Sequence, residues 1–153
     1  MHDNNQWKFN GESFLKDDAD SLIERGYVGF VYEISDGVNG KKYIGKKLFT
    51  RKIKRPPLKG TKRKRISIVH SDWTTYFGSS EHLKTLIEER IETFSREILF
   101  VCKSKGELNY VEAREQFARN VLLRDDYYNG IISCRINHRH VNELKLQYAL
   151  ENP

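Results

Sequence analysis

The sequence predicts an α+β fold: a small domain with a mainly three-stranded antiparallel sheet flanked by helices. Three observations lead there. Residues 27–47 read as two strands about a turn, residues 94–102 (FSREILFVC) as a third strand, and residues 79–92 and 104–123 carry apolar side chains at helical spacing. At 153 residues the chain is long enough for one core.

In the hairpin, Val28, Phe30, Tyr32 and Ile34 alternate with Gly29, Val31 and Glu33, and Asp36, Gly37, Asn39 and Gly40 supply the turn. The second strand is expected to run from residue 42 to about 49. Tyr32 and Tyr43 then lie on facing strands with Lys46 close behind. Plain packing does not require two phenols and a lysine, because each phenol needs a polar partner once buried.

The remaining elements follow in order. Residues 1–26 form an N-terminal arm or short helix around Phe14, Leu15, Leu22 and Ile23. Pro56, Pro57 and Gly60 predict that the segment after the second strand is a protruding loop. Ser71 or Asp72 opens a short helix that Gly78 ends. A serine cap precedes Leu83, Leu86, Ile87 and Ile91. The best helix begins with the capping box Ser104 to Glu107 and places Leu108, Val111, Ala118 and Leu122 on one stripe. Glu115 falls on that stripe, where a carboxylate calls for a metal or cation partner. Glu112 falls on another line, with Gln116 and Arg119, and is expected to be solvated. A polar turn, RDDYYNG, is followed by a tail that could add an edge strand and a closing helix. The division expected is residues 1–26, a domain at 27–131 with a basic insertion at 46–65, and a C-terminal extension at 132–153.

Charge is unevenly distributed. Of 27 Lys and Arg residues, thirteen lie between Lys41 and Arg65 with no acid among them. The rest of the chain carries fourteen basic and 21 acidic residues. Lys47, Arg51, Lys52, Lys54, Arg55, Lys62, Arg63, Lys64 and Arg65 are therefore candidate contacts to a nucleic-acid phosphate backbone, with binding that weakens as salt rises. No apolar run approaches membrane-span length and the N-terminus has no secretory pattern, so no membrane partner and a cytoplasmic protein are expected. Cys102 and Cys134 read as reduced thiols, and a zinc site drawn from Cys134, His138 and His140 lacks a fourth ligand at any familiar spacing.

Phe30-Val31-Tyr32 and Tyr43-Ile44-Gly45 resemble the two signature tripeptides of the GIY-YIG nuclease family, with Phe30 standing where the first tripeptide has glycine. Glu115 in Arg114-Glu115-Gln116-Phe117 and the pair Tyr128-Asn129 resemble the family's later markers, so the resemblance covers roughly residues 27–131. In style the chain is similar to the stand-alone, homing-endonuclease-like members carried by tailed bacteriophages. The resemblance implies an endonuclease acting on phosphodiester bonds, with Mg2+ or Mn2+ held by Glu115. It implies that Tyr32 helps to activate water, Lys46 lies near that phenol, Tyr43 orients water or phosphate, and Asn129 fixes the geometry. Tyr76 takes the family's histidine or tyrosine position. The family's arginine position falls on Asp72, leaving Arg51, Arg55, Arg63 and Arg65 as candidates to replace it. The host cytoplasm would be the location if the protein is phage-encoded. Two other readings are a non-catalytic nucleic-acid-binding module on a degenerate nuclease scaffold and a basic tail that docks an acidic protein. The sequence assigns no oligomeric partner.

Overall fold

The structure, a computed structural model, describes residues 5–153; the first four residues of the expected N-terminal arm lie outside the described ones. The centre of the fold is the expected antiparallel trio. Strand β3 (Gly29–Asp36) lies between β4 (Lys42–Leu48) and β7 (Phe94–Cys102). Two further strands from the N-terminus, β1 (Trp7–Phe9) and β2 (Glu12–Ser13), bring the sheet to the order β2-β1-β7-β3-β4, with β1 parallel to β7. β4 is thus an edge strand. Opposite β7, the register of β3 slips between Val31 and Tyr32, a bulge placed beside the first signature tyrosine.

Both faces of the sheet are covered, as alternation along β3 requires. Phe30, Tyr32 and Ile34 join Trp7, Phe14, Phe49, Trp73 and Phe94 on one face. Edge-on ring contacts such as Trp7 to Phe30, 5.0 Å between centroids, fill this layer. Helix α1 (Lys16–Glu24) and helix α2 (Glu81–Arg90) pack here, and Ser80 caps α2 by accepting from Leu83 N. On the other face Val31 and Ile44 meet Leu108 and Val111 of α3 (Lys105–Ala118), whose first turn is capped by Ser104 accepting from Glu107 N at 3.0 Å.

Several expectations change. The basic segment is a two-stranded antiparallel ribbon, β5 (Thr50–Arg55) with β6 (Arg65–His70), and only residues 56–64 form its looped tip. Six aligned pairs satisfy the inward-facing backbone groups that a loop would leave to water. The helix expected after Ser71 is a single 3-10 turn, Trp73–Thr75, closed by Gly78 at φ +89°. The tail contains no edge strand; it makes a 3-10 turn, His138–Val141, and then α4 (Asn142–Glu151). Among the described residues no helix is long and apolar enough to cross a membrane.

Candidate active site

The site is built on the edge strand. Part of that edge is covered by the segment after α3: Lys42 N donates to Asp126 O, Tyr128 N donates to Lys42 O at 2.7 Å, and the Asn129 side chain both accepts from Ile44 N and donates to Ile44 O. Asn129 thereby mimics a strand residue and fixes the backbone of the second tripeptide. Tyr128 is held in turn, since its hydroxyl donates to Asp36 Oδ2 at 2.6 Å.

Beyond Ile44 the strand borders a cavity of about 270 Å3 lined by Tyr32, Tyr43, Lys46, Tyr76, Glu112 and Gln116, among others. Tyr32 is paired directly with Gly45 across the ladder, and its phenol lies over that glycine toward the edge. Its ring lies 6.3 Å from that of Tyr43 and 6.1 Å, edge-on, from that of Tyr76. The Tyr43 hydroxyl shares a hydrogen bond with Ser79 Oγ. Burial raises the Tyr32 pKa well above its ordinary value, and the neighbouring Tyr76, Tyr43 and Glu112 push it further. The resting phenol is therefore neutral and able to donate as well as accept.

Tyr76 is placed by a buried arginine. Arg96 is stacked 4.1 Å from the Phe77 ring centre and 4.6 Å from that of Trp7, and it donates to Tyr76 O at 2.8 Å. Burial lowers its pKa to about 10, which leaves it charged at neutral pH.

The carboxylate that α3 contributes to this cavity is Glu112, not Glu115. Lys46 Nζ lies 3.6 Å from Glu112 Oε1 and also donates to Asn109 Oδ1. Burial raises the Glu112 pKa, and Lys46 opposes the rise. Glu115 is instead paired with Arg119 and lies 3.1 Å from Arg114 Nη2. The expectation that Glu112 is solvated is corrected: its side chain is as buried as that of Glu115, at 14% exposure each, and α3 buries Leu108, Val111, Ala113 and Gln116, while Glu115 has the cation partners expected of it. Three positions along a helix equal about 60° of rotation, enough to exchange the two glutamates. Gln116, Asn109 and Ser79 were also missed. The four-residue spacing Leu108-Glu112-Gln116 was the available signal.

Among the described residues no group of three or more His, Cys, Asp or Glu converges, the Cys134, His138 and His140 set included. Any metal here would depend on one carboxylate. Gln116 strengthens that fit: its amide nitrogen donates to Ile44 O, which leaves its buried Oε1 without a hydrogen-bond partner, one turn from Glu112. Two hard oxygen donors suit Mg2+ or Mn2+.

A second cavity of about 500 Å3 adjoins the first through Lys46 and Tyr76 and adds Lys47, Arg51, Asp72 and Lys105. Lys47 Nζ sits 3.9 Å above the Tyr76 ring centre and 2.6 Å from Asp72 Oδ1. Of the four candidate arginines, Arg51 alone lines this groove. Arg55 and Arg65 stand farther out on the ribbon with Lys52 and Lys54, and Lys62, Arg63 and Lys64 occupy its tip, all exposed.

A family model described as "Putative endonuclease segE, GIY-YIG domain" matches residues 7–132. No curated protein and no solved structure matches the chain. The matched span runs from the first residue of β1 to just past Asn129, so it contains every side chain named for the first cavity. With Tyr32, Tyr43 and Gly45 of the two tripeptides lining that cavity, the chain belongs to the GIY-YIG nuclease family, with a domain of the segE type.

Proposed function

We propose that the protein is a metal-dependent endonuclease acting on double-stranded DNA. The observation that supports this best is the convergence of Tyr32, Tyr43, Tyr76, Lys46 and Glu112 on one cavity that opens into a basic groove. Glu112, with Gln116 Oε1 beside it, would hold Mg2+ or Mn2+, which when bound supplies Lewis-acid stabilisation of the leaving oxygen. Lys46 opposes the rise that burial imposes on the Glu112 pKa. Tyr32 and Tyr43 hold and orient the attacking water through their hydroxyls. Tyr76 forms the opposite wall, carrying Lys47 on its ring face as a phosphate contact. Arg51 substitutes for the arginine that Asp72 replaces, and the ribbon cations grip the backbone on either side. Asn129 acts by positioning, through Ile44.

Supercoiled plasmid in Mg2+ or Mn2+ tests the assignment. Nicking is expected from the wild type, to fall by about a thousandfold in Glu112→Gln, or about 4 kcal/mol of transition-state stabilisation, and to survive within a few-fold in Glu115→Gln. Loss in Glu115→Gln with retention in Glu112→Gln would reverse the roles of the two glutamates. One observation favours a binding module without catalysis: Asp72 stands in the arginine position and takes up Lys47. Tight duplex binding with no nicking in either metal would select that reading.

A further inference from the structure

The ribbon sorts its side chains by face. Directly opposed residues of an antiparallel pair share a face, so Arg51 with Val69, Ile53 with Ser67 and Arg55 with Arg65 stand on one side. Lys52 with Ile68 and Lys54 with Ile66 stand on the other. The arginine face is continuous with the site, because Arg51 lines the groove beside Lys46, Lys47 and Tyr76. The lysine face turns toward α1 at its base, where His70, which shares it, meets Asp20 at 2.6 Å.

The arginines are also steered. Arg55 Nε donates to Ser67 Oγ at 2.8 Å and Arg65 Nε to Pro56 O at 3.3 Å, and among the described residues the terminal nitrogens of both exposed guanidiniums make no hydrogen bond. Among the described residues no carboxylate lies within 4 Å of Arg51, Arg55 or Arg65 in an ion pair. A grip on phosphates alone needs no such sorting, since lysine serves as a point charge. A duplex major groove, about 12 Å wide, admits a two-stranded ribbon, and arginine presents the fork that pairs with guanine O6 and N7.

We propose that β5–β6 is a base-reading element that lies in the major groove of double-stranded DNA, with Arg55 and Arg65 directed at guanines and the lysines at the flanking phosphates. The inference rests on DNA being the substrate and deepens that reading by assigning where sequence preference resides. Four residues separate Arg55 from Arg51, about 13 Å along a strand, so the guanines read lie about four base pairs from the phosphate at the groove.

Guanine-N7 methylation interference with duplex binding, without divalent metal, tests this. For the wild type, methylation at one or two guanines about four base pairs from the nicking position is expected to block binding. The interference should disappear in Arg55→Ala/Arg65→Ala, with discrimination against other bases at those positions falling about tenfold. Lys52→Ala/Lys54→Ala should weaken binding to all duplexes alike and keep the pattern. Absence of interference in the wild type, or its persistence in the Arg55→Ala/Arg65→Ala chain, overturns the proposal; the Lys52→Ala/Lys54→Ala chain, which loses the same two charges, is the control. A wild type that shows interference but never nicks overturns the catalytic reading and leaves this one standing; nicking without interference does the opposite.

Discussion

At Gly45 a single hydrogen atom in place of a methyl group sets the geometry of the candidate site. The residue faces Tyr32 across the ladder, and a Cβ there would overlap the Tyr32 hydroxyl, lie 2.6 Å from its Cζ and press on Tyr43 Cε1 at 3.0 Å. Gly45→Ala must therefore push the phenol off its position, at an overpacking cost of about 1–3 kcal/mol. A displacement of the order of an ångström in an orienting group is expected to lower nicking about a hundredfold. Nicking rates measured beside thermal unfolding check this: full activity with an unchanged midpoint would mean that Tyr32 does not work from its place over Gly45. The tripeptide was visible in the sequence, but the reason for its glycine was not, because the reason is a cross-strand partner thirteen positions away. The glutamates show the same limit in helical form. A stripe drawn through Val111 and Ala118 favours Glu115, and the selection of Glu112 is made by Ile44 and Lys46 on another element.

Among the elements, the turn end of β3 is the joint that sets where the others stop. Asp36, fully buried, receives both terminal nitrogens of Arg90 from the end of α2, the Tyr128 hydroxyl and the amide of Val38. Arg90 first, and then Tyr128 and Val38, hold its carboxyl well below the usual carboxylate range in spite of burial. A carboxyl depressed in the folded state adds stability above its unfolded pKa, near 3.9, and loses that stability as pH falls through this value toward the folded one. Asp36→Asn is expected to cost about 2–3 kcal/mol at pH 7, and its stability should change less between pH 5 and pH 3 than that of the wild type. Chemical denaturation at several pH values measures both; equal pH slopes in the two proteins would remove Asp36 from the account. Local signals announced the elements this joint connects: the turn glycines, the Ser80 and Ser104 caps and the β-branched run of β7. The joint itself links residues 54 and 92 positions apart, which no local pattern carries. The ribbon was hidden for another reason. Pro56, Pro57 and Gly60 belong only to its tip, and the near-unbroken run of cations in β5 masks the two-residue period of a strand.

Across the whole molecule the charge segregates along the route that a duplex would follow. From Lys46 and Lys47 at the cavity, through Arg51 and Lys105 in the groove, the cations continue along the ribbon to Lys59, Lys62, Arg63 and Lys64 in its exposed tip. Each phosphate neutralised contributes about −0.9 to the slope of log affinity against log salt on duplex DNA. The tip contributes four cations, and its residues are exposed while the six pairs of β5 and β6 lie outside it. Replacing residues 56–64 with Asn-Gly, a two-residue turn that suits a hairpin, should therefore leave the fold intact. The slope is expected to become shallower by about 2–4, with the loss of affinity largest at low salt and shrinking as salt rises. Nicking at low salt and saturating protein should persist, because Tyr32, Lys46 and Glu112 stand on other elements. Salt titrations of duplex binding by the two proteins decide the matter. An unchanged slope would mean that the duplex leaves the protein before it reaches the tip, and would confine the phosphate contacts to the groove and the base of the ribbon.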